Sequence, residues 1–116
     1  MLNGVFPLKK SEHKAPATLS TEARGWWNRL LDEYGIDDPA GLLLLQTSLE
    51  AFDRMKEAQK RIRKDGSIIK DRFDQLRAHP AITTERDCRA QMLMAMKNLN
   101  LDIEPLRDGP GRPGGN

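Results

Sequence analysis

The side chains with the clearest chemical meaning are basic residues in the second half of the longest helical stretch. Lys56, Lys60 and Arg63 recur at spacings of four and three residues, which places them on one face of a helix. Such like charges repel each other by about 0.2–0.5 kcal/mol per pair. A counter-charge from phosphate or from another subunit would relieve this repulsion. The residues that we expect to contact phosphate are Lys56, Lys60, Arg61, Arg63 and Lys64, with Lys9, Lys10 and Lys14 near the N-terminus.

Two simpler interpretations of this charge pattern stay open. Residues 37–53 carry four acidic and no basic side chains, whereas residues 54–64 carry six basic and one acidic. That order suits the dipole of a single helix, which favours acid at its N-terminal end and base at its C-terminal end. A basic run is also commonly a solvated face. The net charge of +2 does not by itself indicate a nucleic-acid partner.

Residues that could support catalysis or hold a metal are few. The only histidines, His13 and His79, and the only cysteine, Cys88, do not make a zinc set within one chain. His79 precedes a proline and is expected at a helix boundary rather than as a base, and Asp71 and Asp74 are expected as solvated turn carboxylates. No glycine-rich phosphate loop is present. We therefore predict no catalytic residue, no metal site and no cofactor.

Length and composition bound the chain to one small domain. Of its 116 residues, 38% are hydrophobic and 5% aromatic, so the core is modest and a partner subunit is one way to complete it. No apolar run approaches the roughly 20 residues that cross a bilayer, so no membrane partner is expected. The N-terminus lacks the apolar core of a signal peptide, and a single cysteine suits a reducing cytoplasm.

Apolar spacing predicts three main helices. The first, in LSTEARGWWNRLLDEYG, has Ser20 as its N-cap and Gly35 as its stop, and core packing is the expected role of Trp26 and Trp27. The second lies in DDPAGLLLLQTSLEAFDRMKEAQKRIRKDG. The third, AITTERDCRAQMLMAMKNLN, ends at Asn100, and its methionines are expected to fill the core.

The second helix, capped by Asp38 and ended by Gly66, carries a seam with heptad spacing. Small side chains such as Ser48 would let a neighbouring helix approach closely. A helix apolar over so much of its girth is usually buried on several sides, and self-association is one way to achieve that. The seam residues that we predict at an oligomer interface are Leu44, Ala51, Met55, Ala58 and Ile62.

Between the second and third helices lies DGSIIKDRFDQLRAHP, longer than the loop that joins a tight helix pair. It predicts two short strands folded back on each other, with Ile68, Ile69, Phe73 and Leu76 pointing inward. An isolated hairpin is marginal in water, so this one is expected to pack on the helices or on a neighbouring subunit.

The sequence thus predicts an all-α fold of three main helices, with a short β-hairpin-like insert between the second and third and flexible termini. Residues 1–19 are expected as a flexible basic arm, 20–105 as the helical core with the insert at 66–79, and 106–116 as a flexible Pro/Gly-rich tail. The tail contains PGRPGG, whose arginine suits a narrow minor groove, although a plain disordered terminus explains it as well.

Several stretches in this order resemble the small subunit of bacteriophage terminase: WWNRLLDEYGI, EAFDRMKEAQKRIRKDG, DRFDQLRAHPAITTERDCRAQML and MKNLNLDIEPLR followed by GRPGG. The likeness covers roughly residues 16–113. It implies a non-catalytic protein in the cytoplasm of the bacterial host. Such subunits assemble into rings, recognise double-stranded viral DNA and present it to the terminase large subunit, which carries the ATPase and nuclease.

The resemblance also suggests a task for the insert, which would pack on the next copy or line the ring. Many such subunits carry an N-terminal helix-turn-helix, and residues 1–19 are too short for one, so sequence-specific readout is not implied. Two alternatives stay open. One is an adaptor that contacts only the large subunit; the other is an unrelated helical module, such as a transcriptional regulator or a toxin–antitoxin component.

Overall fold

The computed structural model describes residues 13–101, which form three helices and a two-stranded hairpin. Lys9, Lys10 and the predicted tail lie outside the described residues. The elements are α1 (Thr21–Tyr34), α2 (Pro39–Asp65), β1 (Ile68–Lys70), β2 (Leu76–Ala78) and α3 (Ala81–Leu99). The predicted architecture, three helices with a hairpin between the second and third, is confirmed. No helix in this part of the chain is long and apolar enough to cross a membrane.

Helix α1 begins and ends where its capping residues predict. The Ser20 hydroxyl accepts the Ala23 N–H at 3.0 Å, and Gly35 adopts the left-handed conformation with φ of 62°. The core prediction is confirmed for Trp27, which is 4% exposed, and wrong for Trp26, which is 39% exposed. Adjacent helical residues point about 100° apart, so only one of the two faces α2.

Helix α2 starts at a tight acidic cap. The Asp38 carboxylate accepts the Gly41 N–H at 2.9 Å. A Cβ on Gly41 would lie 2.8 Å from this carboxylate and 2.9 Å from the Ile36 side chain, so the first turn requires glycine. Gly66 follows the helix with φ of 88°, as the predicted stop requires.

The main core lies between α1 and the N-terminal half of α2. The segment before α1 joins it, since Leu19 is 3% exposed and the Trp27 indole N–H donates to the His13 carbonyl at 2.9 Å. The packed part of the chain therefore begins before residue 20, inside the predicted arm. The buried residues of this core are Leu19, Ala23, Trp27, Leu31, Leu45 and Leu49.

Helix α3 runs antiparallel to α2 along most of its length and ends at Asn100, which has a left-handed φ of 57° as predicted. As the residue number rises on α2, the contacted residue number falls on α3. The hydrogen bonds that show this order join Ser48 to the Met92 carbonyl, Arg54 to Gln91 and Gln59 to Glu85.

The insert forms the predicted hairpin, with Ile68 opposite Ala78 and Lys70 opposite Leu76. The prediction that its apolar side chains point inward is wrong for three of the four. Ile68 is 56%, Phe73 69% and Leu76 70% exposed, and only Ile69 is half-buried. A two-stranded sheet needs another element to cover its face, and no described element of the same chain covers this one.

Candidate nucleic-acid interface

The basic stripe on α2 continues a face that is apolar nearer the start of the helix. Leu45 and Leu49 on that face pack against α1. At helical spacings of three or four residues the same face presents Lys56, Lys60 and Arg63, and all three side chains are exposed. The face becomes basic where α1 no longer covers it. These cations are therefore exposed because α1 does not extend over this part of α2.

Acidic groups line the end of this stripe nearest α1. Asp53 accepts the Ser20 backbone N–H at 2.8 Å, and this contact marks where α1 begins over α2. A phosphate at this end would meet carboxylates, so the residues beyond it, Arg63 and Lys64, are better placed for phosphate. The cavity here, of about 450 Å³, is lined by Ser20, Thr21, Glu22, Asp53, Lys56, Glu57 and Lys60.

Among residues 13–101, the other predicted phosphate contacts are Arg61 and Lys14. Arg61 points about 100° away from Lys60 around the helix and forms an exposed ion pair with Glu57 at 3.4 Å. Lys14 is exposed in the segment before α1. The structure therefore brings together Lys56, Lys60, Arg63 and Lys64, while the contribution of the N-terminal lysines stays a prediction.

The seam predicted at an oligomer interface is covered within the single chain. Ala51, Met55 and Ala58 are buried, and Leu44 and Ile62 are half-buried. Helix α3 of the same chain packs along this side of α2, because small residues let it approach closely. The contact of this seam with a second copy stays a prediction. Among residues 13–101, the large apolar side chains that are exposed are Trp26, Leu43, Ile68, Phe73, Leu76, Leu93 and Met94.

A buried carboxylate lies between α2 and α3. Glu85 is 8% exposed and accepts hydrogen bonds from Gln59 Nε2 at 3.0 Å and from the guanidinium of Arg89. The Arg89 hydrogen bond, followed by that of Gln59, holds the pKa of Glu85 below its usual range. In the sequence Glu85 only interrupts an apolar seam; the signal that explains it is Arg89 four residues later.

We expect Glu85→Gln to destabilise the fold at neutral pH, because it removes a charge that two donors stabilise. The lowered pKa means that the carboxylate contributes stability above pH of about 4.5 and loses it as the pH falls and the group is protonated in the folded state. The free energies of unfolding of wild type and variant, measured by urea titration, should therefore converge in acid. Glu57→Gln, in the exposed pair with Arg61, is the matched control and should change little at any pH; equal losses in both variants would contradict the assignment.

His79 joins α2, the hairpin and α3. Its Nε2 lies 2.9 Å from an Asp65 carboxylate oxygen, its Nδ1 accepts the Ala81 N–H at 3.0 Å, and its backbone N–H donates to the Ser67 carbonyl at 2.8 Å. His79 is 9% exposed, as a structural boundary residue would be. Both ring nitrogens are already engaged, so neither is available to accept a proton from a substrate.

The other candidate reactive groups also have structural surroundings. Cys88 is buried on α3, and among residues 13–101 no three His, Cys, Asp or Glu side chains lie close enough to hold a metal ion. Asp71 closes the hairpin turn by accepting the N–H groups of Gln75 and Phe73 at 3.0 and 2.8 Å. The Gln75 hydrogen bond is the main reason that the pKa of Asp71 is lowered. Asp74 pairs with Lys70 at the surface.

Comparison with known proteins gives one match. The family model described as phage terminase, small subunit, matches residues 23–105, from the first turn of α1 to just beyond α3. No curated protein and no solved structure matches the chain significantly. The matched range includes α2, α3, the hairpin, the basic stripe and all but the first two residues of α1.

Proposed function

The chain belongs to the phage terminase small-subunit family, and on that premise we propose that it is the non-catalytic DNA-recognition subunit of a viral packaging machine. It assembles into a homo-oligomer in the cytoplasm of the bacterial host. The oligomer binds double-stranded viral DNA and presents it to the terminase large subunit, which carries the ATPase and nuclease. No cofactor enters this role.

The observation that carries the DNA-binding part is the exposed basic stripe beyond the start of α1. One copy offers only a few phosphate contacts, which bind weakly at physiological salt. Repetition of the stripe around an oligomer raises the effective concentration of these contacts and strengthens binding without any new contact. Recognition through phosphate alone does not depend on base sequence. We therefore propose that this subunit binds DNA without a strong sequence preference.

The test is a salt titration of DNA binding combined with native mass spectrometry of the full chain. We expect an oligomer that binds duplex DNA with an affinity that falls linearly, on logarithmic axes, between about 50 and 200 mM salt. Added large subunit should form a complex with the DNA-bound oligomer. A chain that stays monomeric at high concentration and is indifferent to both DNA and the large subunit would refute the proposal.

The acidic residues beside the stripe favour a second candidate function. Glu22, Asp53 and Glu57 reduce the attraction for phosphate at the α1 end of the stripe. An adaptor that binds the large subunit and leaves DNA to it would be compatible with this mixed charge. In that case the large subunit would be captured equally well with and without DNA, and the chain alone would show no salt-dependent DNA binding.

A further inference from the structure

The hairpin exposes an apolar face that nothing described in its own chain covers. In the antiparallel register Ile68, Lys70, Leu76 and Ala78 share one face, and all four are exposed. Phe73 projects from the turn that joins the strands. We call these five residues the hairpin face. Because a two-stranded sheet is marginal in water by itself, this face is suited to bury against a partner.

The hairpin is slightly basic as well as apolar, since residues 67–78 carry Lys70, Arg72 and Arg77 against Asp71 and Asp74. The Arg72 guanidinium lies 5.2 Å from the Phe73 ring centroid at the turn. Within the hairpin Lys70 pairs with Asp74 and Arg77 pairs with Asp71, both at 3.4 Å, whereas the Arg72 guanidinium contacts the Phe73 ring. The surface that complements the hairpin face should therefore combine an exposed apolar side chain with carboxylates.

Such a surface exists at the opposite end of α2. Residues 30–45 contain four acidic side chains and no Lys, Arg or His. Glu33 and Asp37 are exposed where α1 passes into α2, and Leu43, 65% exposed, follows within the first two turns of α2. We call Glu33, Asp37 and Leu43 the acidic end.

We propose that the hairpin face of one copy docks on the acidic end of the next copy. This inference rests on the proposed function, because it specifies how the oligomer is built. Helix α2 has 27 residues and is about 40 Å long, with the hairpin at one end and the acidic end at the other. A copy cannot join the two itself, so the contact is head-to-tail and forms a ring if the rotation between copies closes.

The charges argue against a symmetric contact between two hairpins. A two-fold contact would pair this surface with a copy of itself, so two hairpins of the same net positive charge would face each other. Docking on the acidic end instead places Arg72 near Glu33 and Asp37 and covers Phe73 with Leu43. The same arrangement leaves Lys60 and Arg63 on the side of α2 free for DNA.

Two variants that each damage one surface test the head-to-tail contact. The hairpin variant carries Arg72→Glu and Phe73→Ser; the end variant carries Asp37→Lys and Leu43→Ser. All four positions are exposed, so both chains should fold, as checked by circular dichroism. We expect self-association to weaken by about tenfold or more in each variant, while Arg86→Glu on the exposed side of α3 leaves it unchanged.

Mixing the two variants gives the decisive result. Each mixture partner retains one intact surface, so the mixture should form a 1:1 dimer and nothing larger by native mass spectrometry. As a second readout, Arg72→Glu alone should weaken assembly and Asp37→Arg in the same chain should restore it. Wild-type-like assembly of the hairpin variant, or no dimer on mixing, overturns the head-to-tail contact while leaving the proposed DNA role intact. A wild-type chain that is monomeric and does not bind DNA overturns both.

Discussion

Replacement of Trp27 by alanine is expected to lower the free energy of unfolding by about 3–5 kcal/mol. The indole is 4% exposed in the core between α1 and α2, and its N–H donates to the His13 carbonyl at 2.9 Å. The variant therefore leaves a cavity and an unpaired carbonyl in the segment before α1. Because a small domain has a total stability of about 5–15 kcal/mol, urea denaturation should show a sharply lowered midpoint or a partly unfolded chain.

The neighbouring tryptophan supplies a matched control. Trp26 is 39% exposed and its ring lies 4.8 Å from the Arg29 guanidinium at the surface. We expect Trp26→Ala to cost less than about 1 kcal/mol, because little apolar area is removed from a buried site. Trp27→Phe should fall between the two, since it retains the ring and loses the donor. Equal destabilisation by both alanine variants would contradict the assignment of Trp27 to the core.

The helix boundaries could be predicted because their signals are local. Ser20, Gly35, Asp38 and Asn100 act within one turn of the residues that they cap, and each has the predicted role in the structure. The apolar spacing could also have distinguished the buried tryptophan from the exposed one. Trp27 lies four residues after Ala23 on the apolar seam, whereas Trp26 lies beside it.

The partner of an apolar seam cannot be identified from its spacing. Ala51, Met55 and Ala58 have the pattern of a surface that receives another helix, and α3 of the same chain or a helix of a second copy would satisfy it equally. In the structure, the helix that packs on this seam is α3 of the same chain. The interaction of His79 with Asp65 and of Glu85 with Gln59 likewise depends on how α2, the hairpin and α3 meet, which no local pattern encodes.

The hairpin shows a related limit: its strands could be predicted from the sequence, but the direction of its side chains could not. Its existence follows from a short β-branched run, a turn-rich segment and a proline. The direction of its side chains depends on what lies over the sheet, and in the single chain three predicted inward residues, Ile68, Phe73 and Leu76, are exposed. An exposed apolar face where the sequence predicts a core is the observation that leads from the fold to an assembly contact.

Charge reversal at two positions of the basic stripe, Lys60→Glu with Arg63→Glu, is expected to remove most DNA binding. Each phosphate contact contributes about 0.9 to the slope of log affinity against log salt, so losing two should flatten the slope by about 2. At about 0.1 M salt the affinity should fall by about tenfold or more, since each new carboxylate also repels phosphate. Fluorescence anisotropy with a labelled duplex across a salt series measures both quantities.

The control variant must change the net charge by the same amount as the stripe variant without substituting any residue of the stripe. Arg86→Glu with Lys97→Glu does so on exposed positions of α3. Arg61→Glu separately tests the cation that pairs with Glu57, and we expect a smaller effect there because that side chain points away from the stripe. If the α3 variant loses as much affinity and slope as the stripe variant, binding follows total charge and not the stripe. If the stripe variant alone loses both, phosphate lies along α2 beyond the start of α1, where the length of α1 leaves this face uncovered.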